Sequence, residues 1–329
     1  MTKFAFLFIL GLAVSASAAD TNGNGTKSRA RGVEEKVRRL VQTAQKLISD
    51  QQGALSPILG SGGAAANPGA GAPAGGAAGG PAAKARELST TALDKATFEP
   101  TYTQWTGLYG PADTKLKELE KTWTQVSDSK TLEELGTEIT ALGTALSTEK
   151  GFVPECQAPP SDAIKTECEK RCTAYNDSNN RQQRTKAAFD KFKAALGEGG
   201  KEGGGEVKKA YDGALSALRG GGAAAGGGAS QMSYGPEGTG TSFLGKAKVV
   251  HDQLNDTSGG MSPLPAGTTV KSILEGMATG LETTSSDNGK TSTAATTLFE
   301  NVFTLLGGSG QNSPNGMTCE AAPVAAPGR

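Results

Sequence analysis

The chain has 329 residues, with 33 basic and 33 acidic side chains that give a formal net charge of zero, 47 glycines and only 5% aromatic residues. A zero net charge argues against a whole-chain affinity for nucleic acid or for an anionic membrane. Low apolar content without a large net charge predicts helices separated by flexible spacers, rather than a chain that is disordered throughout.

Residues 1–18 have the pattern of a secretory signal peptide. Lys3 gives a short basic start, residues 4–14 form an apolar run, and Ala16-Ser17-Ala18 is a cleavage site of the A-x-A type. The run is too short to cross about 30 Å of hydrocarbon. Because residues 315–329 also lack a hydrophobic tail, we expect a secreted mature chain with no integral membrane span.

Residues 19–59 predict a basic amphipathic helix region. The apolar residues between Val33 and Ile48 recur at helical spacing, and Glu34 precedes Arg38 in the i to i+4 order that favours an ion pair, as Glu35 precedes Arg39. The basic residues could bind a sulfated sugar or a lipid surface, although a solvated helix face is the simpler interpretation. Residues 60–83, almost entirely Gly, Ala and Pro, predict a flexible linker.

Residues 84–218 predict the core of a helical bundle with a disulfide-stapled hairpin. Two heptad-like patterns between residues 111 and 151 predict an antiparallel pair of helices, the first starting at Pro111 and the second carrying a capping box of Thr131 and Glu134. A third pattern starts at Ser161, loosens over residues 176–180 and resumes at Phe189. A short fourth pattern covers residues 207–218.

The C-terminal part predicts a spacer and three weaker helices. Residues 219–240 predict a Gly-rich linker, residues 241–306 contain helical patterns at 243–254, 270–281 and 298–306, and residues 307–329 predict a disordered tail tied by Cys319. No stretch alternates with a period of two. The expected fold class is therefore all-α, an irregular helical bundle with antiparallel hairpins that is interrupted by Gly/Ala-rich disordered linkers.

Matches to catalytic or ligand-binding motifs are poor. Residues 240–247, GTSFLGKA, fit the G-x-x-x-x-G-K pattern, but Ala247 stands where a phosphate loop needs Ser or Thr. His251 is the only histidine in the sequence, and its neighbours suit an ordinary amphipathic helix. A zinc site needs four ligands from Cys, His or carboxylate side chains, and this chain can supply only one histidine. We therefore expect no catalytic, cofactor-binding or metal-binding residue and a protein that is not an enzyme.

Four cysteines, Cys156, Cys168, Cys172 and Cys319, are expected to form disulfides in an oxidising compartment, with three connectivities open. Cys168 and Cys172 lie one turn apart on one helix face, where nearly parallel Cα–Cβ bonds disfavour a direct bond between them. The simplest arrangement joins one of them to Cys156 and the other to Cys319.

Three glycosylation sequons begin at Asn24, Asn176 and Asn255. They are relevant only in a eukaryotic secretory pathway. If Asn176 carries a glycan, we expect it to face solvent while the two neighbouring cysteines face the bundle.

These features favour a secreted, non-enzymatic helical protein that acts outside the cell or on a surface as an interaction, antigen or matrix protein. Its expected partners are proteins or glycans, with self-association through its helix faces, and not nucleic acid. The alternative is a secreted carrier whose amphipathic helices bind lipid or an apolar ligand. A third class, an enzyme whose signature is not recognisable, would require an activity that one substitution abolishes, for instance at His251.

Overall fold

The computed structural model is all-α over the residues that it describes, namely 24–60, 80–150, 161–197, 205–220, 232–236, 241–256, 264–265 and 267–307. No strand occurs among these residues, and the predicted all-α bundle is confirmed. The signal peptide, most of the two predicted linkers, residues 308–329, Cys156 and Cys319 lie outside them. The helices are α1 (Asn24–Leu59), α2 (Pro81–Ser89), α3 (Lys95–Val126), α4 (Ser129–Lys150), α5 (Asp162–Ala195), α6 (Glu206–Arg219), α7 (Phe243–Asn255) and α8 (Val270–Gly307).

The chain divides into two compact units. The first comprises Met1–Val33, Thr140–Gln183 and Gly310–Arg329, and the second comprises Glu34–Ile139 and Arg184–Ser309. Within the second unit, α2 and α6 both contact α8, α7 contacts α3 and α8, and α3 contacts α6. The long helix α8 is therefore the element against which the shorter helices of this unit are assembled.

Helix α1 follows its apolar stripe and extends beyond it. Val37, Val41 and Ala44 are fully buried, and further along Leu55 and Ile58 are buried as well. The two predicted ion pairs form, with Arg38 Nη2 3.1 Å from Glu34 Oε1 and Arg39 Nε 2.8 Å from Glu35 Oε1. These two predicted contacts are therefore confirmed.

Helix α3 starts sixteen residues before the predicted start at Pro111, which lies inside the helix. Phe98, Trp105 and Ala112 are buried at seven-residue spacing, so the apolar stripe already runs upstream of the proline. Asp94 caps the true start by accepting a hydrogen bond of 2.8 Å from the Thr97 backbone N–H. The tertiary packing of this stripe outweighs the backbone hydrogen bond that an internal proline removes.

The start of α4 also differs from the prediction. Asp128, rather than Thr131, is the capping residue, because its Oδ2 accepts 2.8 Å from the Thr131 backbone N–H and 2.5 Å from the Thr131 hydroxyl. These hydrogen bonds lower the pKa of Asp128, the side-chain bond from Thr131 contributing most. The predicted capping box is therefore wrong.

Helices α5 and α8 are longer than the patterns suggested. Residues 176–180 do not interrupt α5, because polar side chains in this stretch bond within the helix, as when the Ser178 hydroxyl donates 2.8 Å to the Ala174 carbonyl. The two helices predicted at 270–281 and 298–306 are one helix. Its middle buries small residues, Thr284, Ser292 and Ala295, instead of large apolar ones.

Residues 232–236 enter the core of the second unit, although they belong to the stretch predicted as a Gly-rich linker. The Tyr234 backbone N–H donates 2.7 Å to the Ala217 carbonyl, and the Tyr234 carbonyl accepts 3.0 Å from the Leu244 backbone N–H. The Tyr234 side chain is fully buried and stacks on Phe243 with a ring-centre distance of 5.2 Å. This segment therefore joins α6 to α7 as part of the folded structure.

Candidate functional site

The N-terminal third of α5 is exposed to solvent around its whole circumference. From Ser161 to Arg171 every residue is exposed except Cys168, which is half-buried. Ser161 begins the helix by accepting a 3.4 Å hydrogen bond from the Ile164 backbone N–H. Ile164 is 42% exposed and is the exposed large hydrophobic residue of the described chain. A helix end in this setting has no apolar face to hold it in place.

Two cysteines lie at the base of this exposed helix end. Cys168 and Cys172 are both disulfide-bonded, and Cys172 is buried. Cys156 and Cys319, the other two cysteines of the chain, lie outside the described residues. The pairing of one bond with each of them therefore stays a prediction.

The sequon at Asn176 lies inside a helix and partly in the core. Asn176 is half-buried, and its Nδ2 donates to Cys172 Sγ at 3.7 Å, while Ser178 is only 3% exposed. Asn176 lies on the same helix face as Cys172, because the two are four residues apart. The expectation that a glycan-bearing Asn176 faces solvent, away from the cysteines, stays a prediction. A glycan at Asn176 would have to displace this contact.

The sequon at Asn255 is also engaged by its own helix. Asn255 is half-buried, and its Nδ2 lies 2.9 Å from the His251 carbonyl oxygen and 3.0 Å from His251 Nε2. Asn24 begins α1. Occupancy of the three sequons stays a prediction.

His251 joins α7 to α3. Its Nε2 lies 2.8 Å from Glu99 Oε2, its ring stacks on Tyr102 with a centre distance of 4.2 Å, and its Nδ1 is 3.5 Å from Asp252 Oδ1. Nucleophilic catalysis would need a Ser, Thr or Cys side chain within hydrogen-bond reach of the imidazole. In the described chain the polar partners of His251 are Glu99, Asp252 and Asn255, so the cluster serves to fix the two helices.

The sequence resembling a phosphate loop leads into α7, and the amides that would hold a phosphate are already used. The Phe243 and Leu244 N–H groups donate to the Ser233 and Tyr234 carbonyls, and the Gly245 N–H donates 3.0 Å to the Ser242 hydroxyl. A phosphate at a helix N-terminus binds through free amides of this kind. These three amides of α7 are therefore not free to hold a phosphate.

A partly buried ion-pair network links the end of α6 to α3. Arg219 Nε donates 2.6 Å to Asp113 Oδ1, and a second nitrogen of Arg219 contacts Glu120. Burial alone would raise the pKa of Asp113, but the hydrogen bonds from Lys117 and Arg219 outweigh it, so this pKa lies below its usual range. Tyr211 stacks on Trp123 at 4.2 Å nearby, and burial raises its pKa to about 12.

Among the described residues, no three side chains of His, Cys, Asp or Glu converge as the ligands of a metal ion would. Each helix in that part of the chain is too short or too polar to cross a lipid bilayer. Comparison of the sequence and the structure with family models, with curated proteins and with solved structures gives no match.

Proposed function

We propose that this chain is a secreted, non-enzymatic helical protein that acts outside the cell, or exposed on a surface, as an interaction, antigen or matrix protein. The exposed end of α5 carries this proposal, because it is surrounded by solvent and has two disulfide-bonded cysteines at its base. Disulfides persist in oxidising compartments and are rare in the cytosol. A helix end fixed in this way is suited to presentation toward a partner.

The chemistry of the exposed end suits a protein or glycan partner. Its charges have both signs, with Asp162, Lys165 and Glu167 in succession and an ion pair of 3.1 Å between Glu167 and Arg171. A surface that carries both positive and negative side chains does not favour binding to an anionic membrane or to nucleic acid. Ile164, exposed among these charges, would be the apolar anchor of a contact.

Secretion and binding can be tested with the same protein. The full chain, with residues 1–18 intact, is expressed in a eukaryotic secretory line, and the protein from the medium is used to probe arrays of extracellular proteins and glycans. We expect an oxidised protein in the medium that binds a defined subset of the arrays. Retention of an unprocessed chain with free thiols inside the cell would overturn the proposal.

A matched pair of variants tests the role of the α5 end. Ile164→Asp places a charge at the proposed anchor, whereas Ala141→Asp places the same charge at an exposed position of α4. We expect Ile164→Asp to reduce array binding at least about tenfold, which is the effect of losing about 1.4 kcal/mol, with Ala141→Asp binding like the parent. Equal binding by both variants would remove α5 as the contact surface.

A second candidate function is the carriage of an apolar ligand. A cleft of about 760 Å³ beside α2 and α8 favours it, since ligand pockets occupy about 300–1,000 Å³. The lining is mostly small, with Ala82, Ala83 and Ala294 but only Leu59 as a large apolar residue, which favours this function less than the first. Co-flotation with phosphatidylcholine vesicles and a gain of helix on their addition would support the carrier, and neither effect is expected.

A further inference from the structure

Two aromatic rings, one from α3 and one from α6, stack face to face at the protein surface. The rings of Trp123 and Tyr211 lie 4.2 Å apart between their centres, with 10° between their planes. Tyr211 is 5% exposed, whereas Trp123 is half-buried. Because rings stacked at this distance leave no room for water between them, the exposed part of the Trp123 indole belongs to its other face and its rim. Trp123 therefore presents an aromatic surface to solvent.

Polar groups border this ring where α6 meets α3. Glu120 lies one helical turn before Trp123, and Arg219 contacts both Glu120 and Asp113. Burial raises the pKa of the Tyr211 hydroxyl most, and the nearby charge of Glu120 raises it further, so the ion pairs adjoin the stacked rings. At 1.5 Å per residue, the stretch of α3 from Asp113 to Trp123 is about 15 Å long. Asp113, Glu120 and Trp123 of α3 with Arg219 of α6 are called the Trp123 strip below.

The charged groups of the strip are balanced and accessible. Arg219 pairs with Asp113 and Glu120, and Lys117 pairs with Asp113 at 2.7 Å, so two positive side chains meet two negative ones. The side chains of Glu120 and Arg219 remain 39% and 27% exposed, so both can contact a molecule that lies on the strip. A charged ligand would lose hydration here without gaining an uncompensated counter-charge. The strip therefore suits an uncharged ligand that carries polar groups.

We propose that the Trp123 strip binds an uncharged glycan, with one sugar ring stacked on Trp123. A β-linked ring of the glucose configuration has C–H groups on both faces and hydroxyl groups around its rim. The slightly positive C–H groups suit the electron-rich face of the indole. The rim hydroxyls both donate and accept, so they can donate to Glu120 and accept from Arg219.

A purely apolar partner would use only part of this surface. It would cover Trp123, but it would also take water away from Glu120 and Arg219 without replacing the hydrogen bonds that these side chains make to water. A sugar replaces those bonds with its hydroxyls. The Trp123 strip contains no residue of α5, so this proposal does not rest on the partner surface proposed for that helix.

The test uses the folded full chain with its two tryptophans labelled by ¹⁵N at the indole, and cellotriose and chitotriose as probes. Trp105 is 1% exposed and serves as the internal reference. The Trp123 indole resonance is assigned by its disappearance in Trp123→Phe. We expect a saturable shift of this resonance with an affinity on the order of millimolar, and none for Trp105. A sulfated heparin disaccharide, which is charged, and cyclohexanol, which is mainly apolar, should bind at least about tenfold more weakly.

Variants separate recognition by the strip from general effects. Trp123→Leu removes the aromatic face, whereas Gln125→Leu places the same residue at an exposed position of α3. Saturation transfer from the protein to the sugar protons measures binding without a tryptophan signal. We expect Trp123→Leu to weaken binding at least about tenfold and Gln125→Leu to bind like the parent. Glu120→Ala is an independent route that leaves the rings in place, and it should weaken binding about tenfold through the lost acceptor.

Three results would overturn the proposal. The first is the absence of a saturable shift of the Trp123 resonance with both sugars. The second is an equal response to the heparin disaccharide or to cyclohexanol. The third is unchanged sugar binding in both Trp123→Leu and Glu120→Ala. Ile164→Asp, which tests the α5 surface, should leave the binding of both sugars unchanged, so the two proposals can fail separately.

Discussion

The Tyr234 hydroxyl donates a hydrogen bond of 2.8 Å to the backbone carbonyl oxygen of Trp105. This contact joins the segment at residues 232–236 to α3 across 129 positions of sequence. Phe243 lies between the two rings, stacked on Tyr234 at 5.2 Å and edge-on to Trp105 at 4.9 Å. Burial raises the pKa of the Tyr234 hydroxyl, so it stays protonated and remains a donor. The segment is therefore held by both an aromatic cluster and a directed polar contact.

We expect Tyr234→Phe to lower the free energy of unfolding by about 1 kcal/mol, the net contribution of one hydrogen bond. Tyr234→Ala should lower it by about 3–5 kcal/mol, because it also leaves an aromatic-sized cavity. Urea unfolding with a constant m-value measures both changes. Tyr109→Phe, at a half-buried tyrosine with no hydroxyl partner among the described residues, is the control. A loss below about 0.5 kcal/mol for Tyr234→Ala would place Tyr234 outside the core.

Two glycines of α8 should respond to alanine in opposite directions. A Cβ on Gly280 would lie 2.9 Å from the Cβ of Met232, whereas one on Gly276 would meet nothing within 4 Å. Gly280→Ala should therefore cost about 1–3 kcal/mol of unfolding free energy through overpacking. Gly276→Ala should gain about 0.5–1 kcal/mol, because alanine is the better helix former.

Thermal unfolding of the two glycine variants gives the comparison directly. In the Gly280→Ala background, Met232→Ala should recover part of the loss, since it removes the side chain that the new methyl group meets. Stabilisation by Gly280→Ala would show that Met232 does not pack closely against Gly280.

Gln51, on α1, is 1% exposed, and its side-chain amide has no hydrogen-bond partner among the described residues. Gln51→Leu should therefore raise the free energy of unfolding by about 1–2 kcal/mol. An unpartnered buried amide costs about 1–3 kcal/mol, and leucine of similar size removes that cost. Gln45→Leu, at an exposed position of the same helix, should change stability by less than about 0.5 kcal/mol. Chemical denaturation measures both variants. A clear loss of stability in Gln51→Leu would mean that water already satisfies the Gln51 amide.

Protonation of Asp113 should lower the stability of the folded chain at acid pH. Its pKa in the folded chain is below the unfolded value of about 3.9, since the bonds from Lys117 and Arg219 outweigh its burial. A lowered carboxyl pKa stabilises the fold fully above the unfolded pKa, and this stability is lost as the pH falls through the folded pKa. We therefore expect the Tm difference between the parent and Asp113→Asn to shrink as the pH falls from 5 to 2, roughly the window in which such a carboxylate titrates.

Asp190→Asn removes the same charge from an exposed pair with Lys186 and serves as the reference for Asp113→Asn. Because exposed pairs contribute little, its Tm at neutral pH should lie close to that of the parent. If the Tm difference for Asp113→Asn is the same at every pH, the Arg219 network does not stabilise the charged form of Asp113.

The sequence predicted best where large apolar residues repeat. The stripe of α1 and the pairs formed by Arg38 and Arg39 could be predicted, because helical periodicity alone determines which side chains meet. The middle of α8 could not be predicted as helix from its apolar pattern. Its buried positions are Thr284, Ser292 and Ala295, and such small side chains give no hydrophobic periodicity. There the close approach of neighbouring helices, rather than apolar volume, sustains the helix.

Single core residues within Gly-rich sequence were missed for a related reason. Tyr234 stands alone among glycines and polar residues, so no local pattern marks it, and only its contacts with α3 and α7 bury it. The early start of α3 could have been predicted from the sequence, because Phe98 and Trp105 continue the seven-residue apolar spacing upstream of Pro111. No sequence signal marks Gln51 as buried, since a glutamine in a long amphipathic helix usually faces solvent.

We propose that the protein acts outside the cell, and we expect Cys168 and Cys172 to form two separate disulfides, one with Cys156 and one with Cys319. Non-reducing tryptic mapping of the secreted protein tests it most directly, because cleavage after Lys170 and Arg171 places Cys168 on peptide 166–170 and Cys172 on peptide 172–181. We expect these two peptides to be linked to peptides 151–165 and 291–329, which contain Cys156 and Cys319. Free thiols at Cys168 and Cys172, or peptides 166–170 and 172–181 linked to each other, would contradict it.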